Sequence, residues 1–343
     1  MKVLVTGSKG VLGQNLITHL NSLGIETVPL DILEQGKHKC DIRNTEHVSY
    51  LAQDCDVVVH SAAAFPSYSS KDIWSIDVHG TKSVVNAARI AGVSRFIHIS
   101  STAVYGLPET VPTPETYPRN GVDPYSKAKG YAEKICEESA DYFSHMTIIR
   151  PKTFLGNGRL GLFSMLFEWA DEGRDFPVIG NGKQRIQMLD VEDLCVAITN
   201  VIQKKCPEGV HAYNLGATRF ENIEKDFQAV LDEAGHGGRI RHICIAPAVP
   251  LLHIASKVGR SPVYPRLISK LCHDSYVDTA LAEREIGFAP KYSNEESLIR
   301  TYRWWKTQPH NSSVTGNTST LSWRQGVLRL CKPMFGPRIK KVH

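Results

Sequence analysis

From Gln308 to His343 the chain holds no aspartate and no glutamate, yet it carries six cations: Arg324, Arg329, Lys332, Arg338, Lys340 and Lys341. With these six set aside, the other 34 of the 40 basic residues face 35 acidic ones. The net charge of +5 therefore belongs to the C-terminal segment, and the body gives no support to a nucleic-acid partner. The eight cysteines never form a C-x-x-C pair, so neither a zinc knuckle nor a disulfide framework is indicated, and a reducing compartment is expected. No His/Cys/Asp group has metal-ligand spacing, so no metal is expected. No apolar run approaches the roughly 20 residues of a membrane-spanning helix. Strand-like residues begin at Lys2, which leads to the expectation of no signal peptide and a cytoplasmic location.

What is present is an alternation of strand and helix patterns. Val3-Leu4-Val5, Ile25 to Leu30, Val57-Val58-Val59, Phe96 to Ile99 and Thr147-Ile148-Ile149 are short apolar runs that read as strands. Between them, Val11 to Leu23, Trp74 to Ala91 and Tyr125 to Ser139 have helical spacing. Strands apolar on both faces, each followed by a helix, imply an α/β fold with a doubly wound parallel sheet covered on both sides.

The turn after the first strand is Thr6-Gly7-Ser8-Lys9-Gly10-Val11-Leu12-Gly13. Gly7 permits a tight turn, Gly10 lets backbone approach a phosphate, and Gly13 lets the helix pack on the strand. The helix start at Val11, Leu12 and Gly13 supplies amide donors and the positive end of a dipole. Asp31 ends the second strand, where a carboxylate accepts from both ribose hydroxyls and repels a 2′-phosphate. The next four residues, Ile32-Leu33-Glu34-Gln35, offer no cation for that phosphate, so NAD is expected over NADP. Asp41-Ile42 is placed to border the adenine, although any loop can hold such a pair.

Tyr125 and Lys129 stand four apart in Asp123-Pro124-Tyr125-Ser126-Lys127-Ala128-Lys129. A cation one helical turn away favours the phenolate, which makes Tyr125 a candidate acid/base for interconverting an alcohol and a carbonyl. Tyr-x-x-x-Lys by itself is common on helix surfaces. It gains weight from the glycine turn before it and from Ser100-Ser101 at the end of the fourth strand, where a hydroxyl can bond the reacting oxygen. His60 and His98 end apolar strands and read as buried and structural.

Past Arg150-Pro151 the pattern loosens around Gly156, Gly158, Gly161, Gly173, Gly180 and Gly182, as expected of a substrate-binding lobe. The expected organisation is a Rossmann domain over 1–160, a smaller substrate-binding lobe over 161–307 with strand returns to the main sheet, and a polar linker and basic tail over 308–343. In the tail, Leu321, Trp323, Val327, Leu328, Leu330, Met334, Phe335 and Ile339 alternate with the six cations. That composition suits weak contact with an anionic membrane surface, with a helix confined to Leu321–Lys332 by Pro333 and Pro337. A tail that is disordered or docked on the body is the alternative.

These pieces, with His60-Ser61-Ala62-Ala63, Asp77-Val78-His79-Gly80-Thr81, Ser100 to Gly106 and Arg150-Pro151 before Gly156, run in the order of the extended short-chain dehydrogenase/reductase superfamily. The chain resembles its NAD-dependent epimerase/dehydratase group over residues 1–160. A weaker likeness runs through Asp193-Leu194, Tyr213 to Gly216 and Leu281 to Pro290. The resemblance implies Ser101, Tyr125 and Lys129 as catalytic residues. It implies a cofactor lining of Gly7, Gly10, Gly13, Asp31, Asp41, Ile42, Ala62, Ala63, Tyr125, Lys129 and Pro151. Ser101, Thr102, Thr153 and Arg185 are its candidate substrate residues. It further implies a homodimer built by pairing the helices at Trp74–Ala91 and Tyr125–Ser139.

Departures from the family pattern narrow the chemistry. The dehydratases carry an Asp-Glu pair directly after the serine, and decarboxylating relatives keep the Glu; here those positions are Thr102 and Ala103. Asp77 replaces the usual Asn. Arg185 precedes Asp193 by eight residues, one more than in typical sugar-nucleotide epimerases, and one residue in a strand turns a side chain to the other face. That spacing is nearer the sterol and 3β-hydroxysteroid branch, and Arg185 can equally be a solvated surface cation. The expected function is an NAD-dependent epimerase of a nucleotide sugar working through a keto intermediate. A net dehydrogenase or reductase of a 3β-hydroxysteroid-like or other apolar alcohol is the alternative. A non-catalytic NAD-binding regulator is the third reading, against which Ser101, Tyr125 and Lys129 argue.

Overall fold

A computed structural model describes residues 1–161, 163–203, 207–244, 273–309, 315–316, 322–323 and 332–336. In chain order the first half is β1 (Lys2–Thr6), α1 (Val11–Ser22), β2 (Glu26–Leu30), α2 (Thr45–Ala52), β3 (Val57–His60), α3 (Ser70–Ile73), α4 (Thr81–Ile90), β4 (Arg95–Ile99), α5 (Pro124–Glu138) and β5 (His145–Pro151). Then come β6 (Phe154–Leu155), α6 (Phe163–Asp171), β7 (Phe176–Ile179), β8 (Leu189–Asp190), α7 (Val191–Gln203), β9 (Gly209–Leu215), α8 (Ile223–Ala234) and β10 (Ile240–Ile243). Two further helices span Ala280–Ile286 and Asn294–Lys306.

The chain forms two compact units that interleave along the sequence. The first comprises 1–152, 191–216 and 277–290; the second comprises 153–190, 217–276 and 291–343. The reason for the interleaving is the strand return: β9 pairs with β5 along its whole length, His145 opposite Gly209 through Pro151 opposite Leu215.

The first unit is a six-stranded, all-parallel sheet in the order β2-β1-β3-β4-β5-β9. β3, Val57–His60, is buried at every residue, as a strand covered on both faces must be. The order reverses between β1 and β3, and ligands meet such sheets beyond the carboxyl ends at that point. The register lines those ends up: Thr6 lies opposite both Leu30 and His60, His60 opposite His98, and Ile99 opposite Ile149. Gly7, Asp31, Ser61 and Ser100 therefore leave the sheet along one edge.

The helix expected over Trp74–Ala91 begins earlier and is not uniform. α3 continues into a π-helical stretch, Trp74–Gly80, before α4 resumes at Thr81. The wider turn accompanies a buried polar side chain, Asp77, that is 1% exposed and bonded to the Ala64 amide at 2.9 Å. Such π turns favour functional regions.

The described residues of the second unit include the small parallel pairs β6 with β8 and β7 with β10, and a core that includes Phe167, Trp169, Phe176, Phe227, Tyr302 and Trp305. Part of the C-terminal segment belongs to it. Lys332 Nζ lies 2.6 Å from both Glu168 and Glu172 on α6, and Phe335 packs at 5.7 Å from Trp169. Ser322–Trp323 pairs as a strand with Thr315–Gly316. Leu321, Val327, Leu328, Leu330 and Ile339 lie outside the described residues.

Candidate functional site

The glycine turn is sterically closed to other residues. A Cβ at Gly7, which has φ +72°, would lie 2.7 Å from the Ala62 backbone nitrogen. One at Gly13 would lie 2.2 Å from the Gly7 carbonyl oxygen, and one at Gly10 would press that oxygen at 3.1 Å. α1 opens at Gly10 with no side-chain cap, leaving the amides at Val11, Leu12 and Gly13 as donors for an anion. The turn and the Ser61–Ala62 bend are stitched together, Ser61 Oγ donating to the Thr6 carbonyl at 2.6 Å and the Ala62 amide to Thr6 Oγ1 at 3.3 Å. A bare helix start, backbone packed on backbone and a carboxylate at the next strand end fit a dinucleotide.

That carboxylate is Asp31, held by the Lys9 amide at 3.1 Å and the Leu33 amide at 2.9 Å. The other expected adenine-side residues are engaged elsewhere. Arg43 grips the Asp41 carboxylate with two nitrogens and holds it below the usual carboxylate range against burial that would raise it. Ile42 is buried in the core beneath Gly80, whose missing Cβ would lie 2.5 Å from the Ile42 Cδ1. Ala63 is exposed, Ala62 half-buried, and Pro151 is the buried last residue of β5.

α5 is started by its own sequence. Asp123 Oδ1 accepts from the Ser126 amide at 2.8 Å, Ser126 Oγ accepts from the Asp123 amide at 3.0 Å, and Pro124 supplies the first helical φ. The cap puts Tyr125 in the first turn, half-buried against Ala64, Ile73, Val78 and Ala128. Lys129, one turn on, is only 2% exposed. Its Nζ donates to the Ile99 carbonyl at the end of β4 at 3.2 Å and lies 3.9 Å from Asp77 Oδ1. Ser101 stands two residues beyond Ile99, and its Oγ accepts from the Ala103 amide at 3.2 Å. That bond uses a lone pair, so the hydroxyl hydrogen can still be donated. Lys129 thus brings the helix bearing Tyr125 onto the strand end bearing Ser101. Thr102 is buried, and its hydroxyl makes a long, 3.4 Å bond to the Pro151 carbonyl.

Under Lys129 lies a polar layer. His60 bonds Thr6 Oγ1 at 2.8 Å and Thr81 Oγ1 at 3.1 Å, and its ring centre is 5.4 Å from that of His98. Burial, with Lys129 adding to it, pushes His60 down to about 3. His98 falls well below its ordinary value for the same reasons, and neither of its ring nitrogens has a partner among the described residues. Burial pushes Asp77 up, while Lys129 and the Ala64 amide pull it back.

Thr153 and Arg185 are in the second unit. Thr153 is exposed, its carbonyl accepting from the Leu189 amide at 3.1 Å. The Arg185 guanidinium lies over Phe220 at 4.7 Å and Tyr276 at 5.1 Å. It is exposed yet flanked by two rings, a setting that a count of spacing could not foresee. Glu34 was also missed: reading only for cations after Asp31 passes over the acid that meets Lys9 at 3.0 Å.

Comparisons with known proteins agree with this layout. A protein of Sinorhizobium fredii described as uncharacterized protein y4nG is 33% identical over 315 residues, covering 88% of this chain and 78% of that protein. The 3-beta-hydroxysteroid dehydrogenase of Mycolicibacterium neoaurum is 26% identical over 327 residues, covering 87% and 89%. Among solved structures, the UDP-glucose 4-epimerase of Thermotoga maritima, determined with UDP-glucose, superposes with a TM-score of 0.73 at 20% identity, covering 89% of this chain and 99% of that one. The model of the NAD dependent epimerase/dehydratase family matches residues 3–216. With that match spanning the glycine turn, the capped α5 and the β9 return, the chain belongs to the NAD dependent epimerase/dehydratase family.

Proposed function

We propose that this protein is an epimerase that inverts a hydroxyl-bearing carbon of a nucleotide sugar through a keto intermediate. The observation that supports this reading is the Lys129 bond to the Ile99 carbonyl, which ties the helix bearing Tyr125 to the end of the strand that leads to Ser101. The glycine turn and Asp31 would hold NAD, which would supply a reversible hydride acceptor when bound. Ser101 Oγ donates to the reacting oxygen and orients it. Tyr125 takes the hydroxyl proton as the carbonyl forms and returns it when the carbonyl is reduced, the Lys129 cation favouring the phenolate. Thr102 and Ala103, where an acid pair would be needed to expel water, leave the oxidation and its reversal as the chemistry this chain can perform. Arg185, flanked by its two rings, offers a cation for a diphosphate.

The likeness to a steroid dehydrogenase favours one second reading, net oxidation of an apolar alcohol. Absorbance at the reduced-nicotinamide band distinguishes them. Mixed with nucleotide sugars, an epimerase yields the isomer without net absorbance change, whereas a dehydrogenase consumes or makes reduced cofactor in step with product. Failure to convert any nucleotide sugar, with turnover of a hydroxysteroid, would overturn the first reading.

Two finer proposals accompany it. Trp74 and Tyr131 meet edge-on at 4.9 Å and remain 38% and 52% exposed, which supports pairing of these helices with a second copy. Light scattering should give twice 38.1 kDa. The cations of the C-terminal segment support a weak contact with an anionic membrane surface from the cytoplasmic side. No helix among the described residues is long and apolar enough to cross a membrane.

A further inference from the structure

The glycine turn contains a cation, Lys9, in an otherwise uncharged stretch from Thr6 to Gly13. Its backbone amide bonds Asp31 Oδ2, so the residue is fixed beside the carboxylate that ends β2. A cation at that place is what a 2′-phosphate on the adenosine ribose would bind. The structure directs it elsewhere. Lys9 Nζ lies 3.0 Å from Glu34 Oε2, while Glu34 Oε1 accepts from the buried Ser8 hydroxyl at 2.8 Å. The Glu34 amide in turn donates to the Asp31 carbonyl at 3.3 Å. The Glu34 side chain is only 15% exposed, so its pairing with Lys9 is screened less than an open surface pair. Arg43, another cation of this region, is committed to Asp41.

We infer that Glu34 is a cofactor-selectivity residue: by holding the Lys9 ammonium it denies that cation to a 2′-phosphate, and so enforces NAD over NADP together with Asp31. The two acids act differently. Asp31 repels the phosphate directly, and Glu34 occupies the one cation in the turn. The inference rests on the seating of NAD at this turn and not on the identity of the sugar.

The test is titration of the full-length protein with NADH and with NADPH, for the wild type, Glu34→Gln, Lys9→Met and the double variant. Glu34→Gln keeps the shape and removes the charge. It should bind NADPH roughly tenfold more tightly than the wild type does, with NADH affinity within about threefold. The gain should vanish in the double variant and shrink as salt is raised. Unchanged NADPH affinity in Glu34→Gln, equal weakening of both nucleotides, or a gain that survives loss of Lys9 would each overturn the inference while leaving the NAD site standing. A wild type that binds neither nucleotide would overturn the seating and the inference with it.

Discussion

Arg150 at the end of β5 clasps Glu133 on α5 in a sealed, two-pronged ion pair, Nε to Oε1 at 2.9 Å and Nη2 to Oε2 at 2.8 Å. Glu133 is 0% exposed and stands one turn beyond Lys129. It also accepts from Ser100 Oγ at 2.5 Å, while Arg150 Nη1 donates to the Tyr105 hydroxyl at 2.8 Å. Burial works against the Arg150 charge, but the Glu133 carboxylate outweighs it and raises the guanidinium further. Tyr125, Lys129 and Glu133 thus line one face of α5, and the last of them locks that helix to β4 and β5.

Glu133→Ala leaves Arg150 charged and buried without its partner. Removal of one member of such a pair costs about 3–5 kcal/mol. Urea unfolding should register that loss, and Glu133→Ala combined with Arg150→Met should recover part of it. A loss under about 1 kcal/mol would mean that solvent reaches Arg150 in the variant.

Tyr125→Phe keeps the ring against Ala64 and Ala128 and removes the proton. Turnover should fall by roughly 10²–10⁴-fold, the usual worth of an acid/base group, with NAD binding nearly unchanged. Near-normal turnover would exclude Tyr125 from proton transfer.

Two glycine substitutions should act in opposite directions. Gly13→Ala drives a Cβ to 2.2 Å from the Gly7 carbonyl oxygen, so the turn must shift, with a stability loss of about 1–3 kcal/mol and weaker NAD binding. Gly130→Ala, inside α5 with nothing within 4 Å of the new Cβ, should stabilise by about 0.5–1 kcal/mol. Thermal melts of the two variants, and NAD titration of the first, check this.

Stability should fall on acidification from pH 7. His60 titrates at about 6.5 when unfolded and about 3 when folded, so between those values the unfolded chain binds the extra proton. Its contribution is present above pH 6.5 and is lost as the pH falls toward 3. Between pH 7 and pH 5 the loss from His60 is about 2 kcal/mol, and His98 acts in the same direction. Denaturant midpoints across this range test it. His60→Gln should flatten the slope, and an unchanged slope would mean that His60 is not the group responsible.

The C-terminal segment should bind anionic vesicles weakly. Lys332 is committed to Glu168 and Glu172, and any of the segment's other cations that reaches the surface would contribute ~1 kcal/mol. The full chain should sediment with anionic liposomes at low salt, and a chain ending at Gln308 should not. Equal sedimentation would mean that the segment is not an anchor.

Much of the fold was legible because local patterns agree with it. Short apolar runs gave five of the six main strands to within two residues at either end. Gly7 to Gly13 announced the start of α1, and the helical spacing from Tyr125 to Ser139 announced α5, while the Asp123 cap that starts α5 emerged only in the structure. The sixth strand, Gly209–Leu215, was not legible as one, since its first residues are exposed and its pairing with β5 is a long-range event. The π stretch was hidden for a similar reason: Trp74 to Ala91 has helical spacing throughout, and the bond from the Ala64 amide to Asp77 that accompanies the wider turn is made outside the helix.

The sequence by itself determined the parallel sheet, the glycine turn and the one-turn spacing of Tyr125 and Lys129, because each depends on neighbours within a few residues. Tertiary structure alone decided which charges meet. Lys9 finds Glu34, Lys129 finds Asp77, and Arg150 finds Glu133, because the fold brings together residues that are 17 to 52 positions apart in the chain. Pairings of that kind depend on register and burial, which no local pattern encodes.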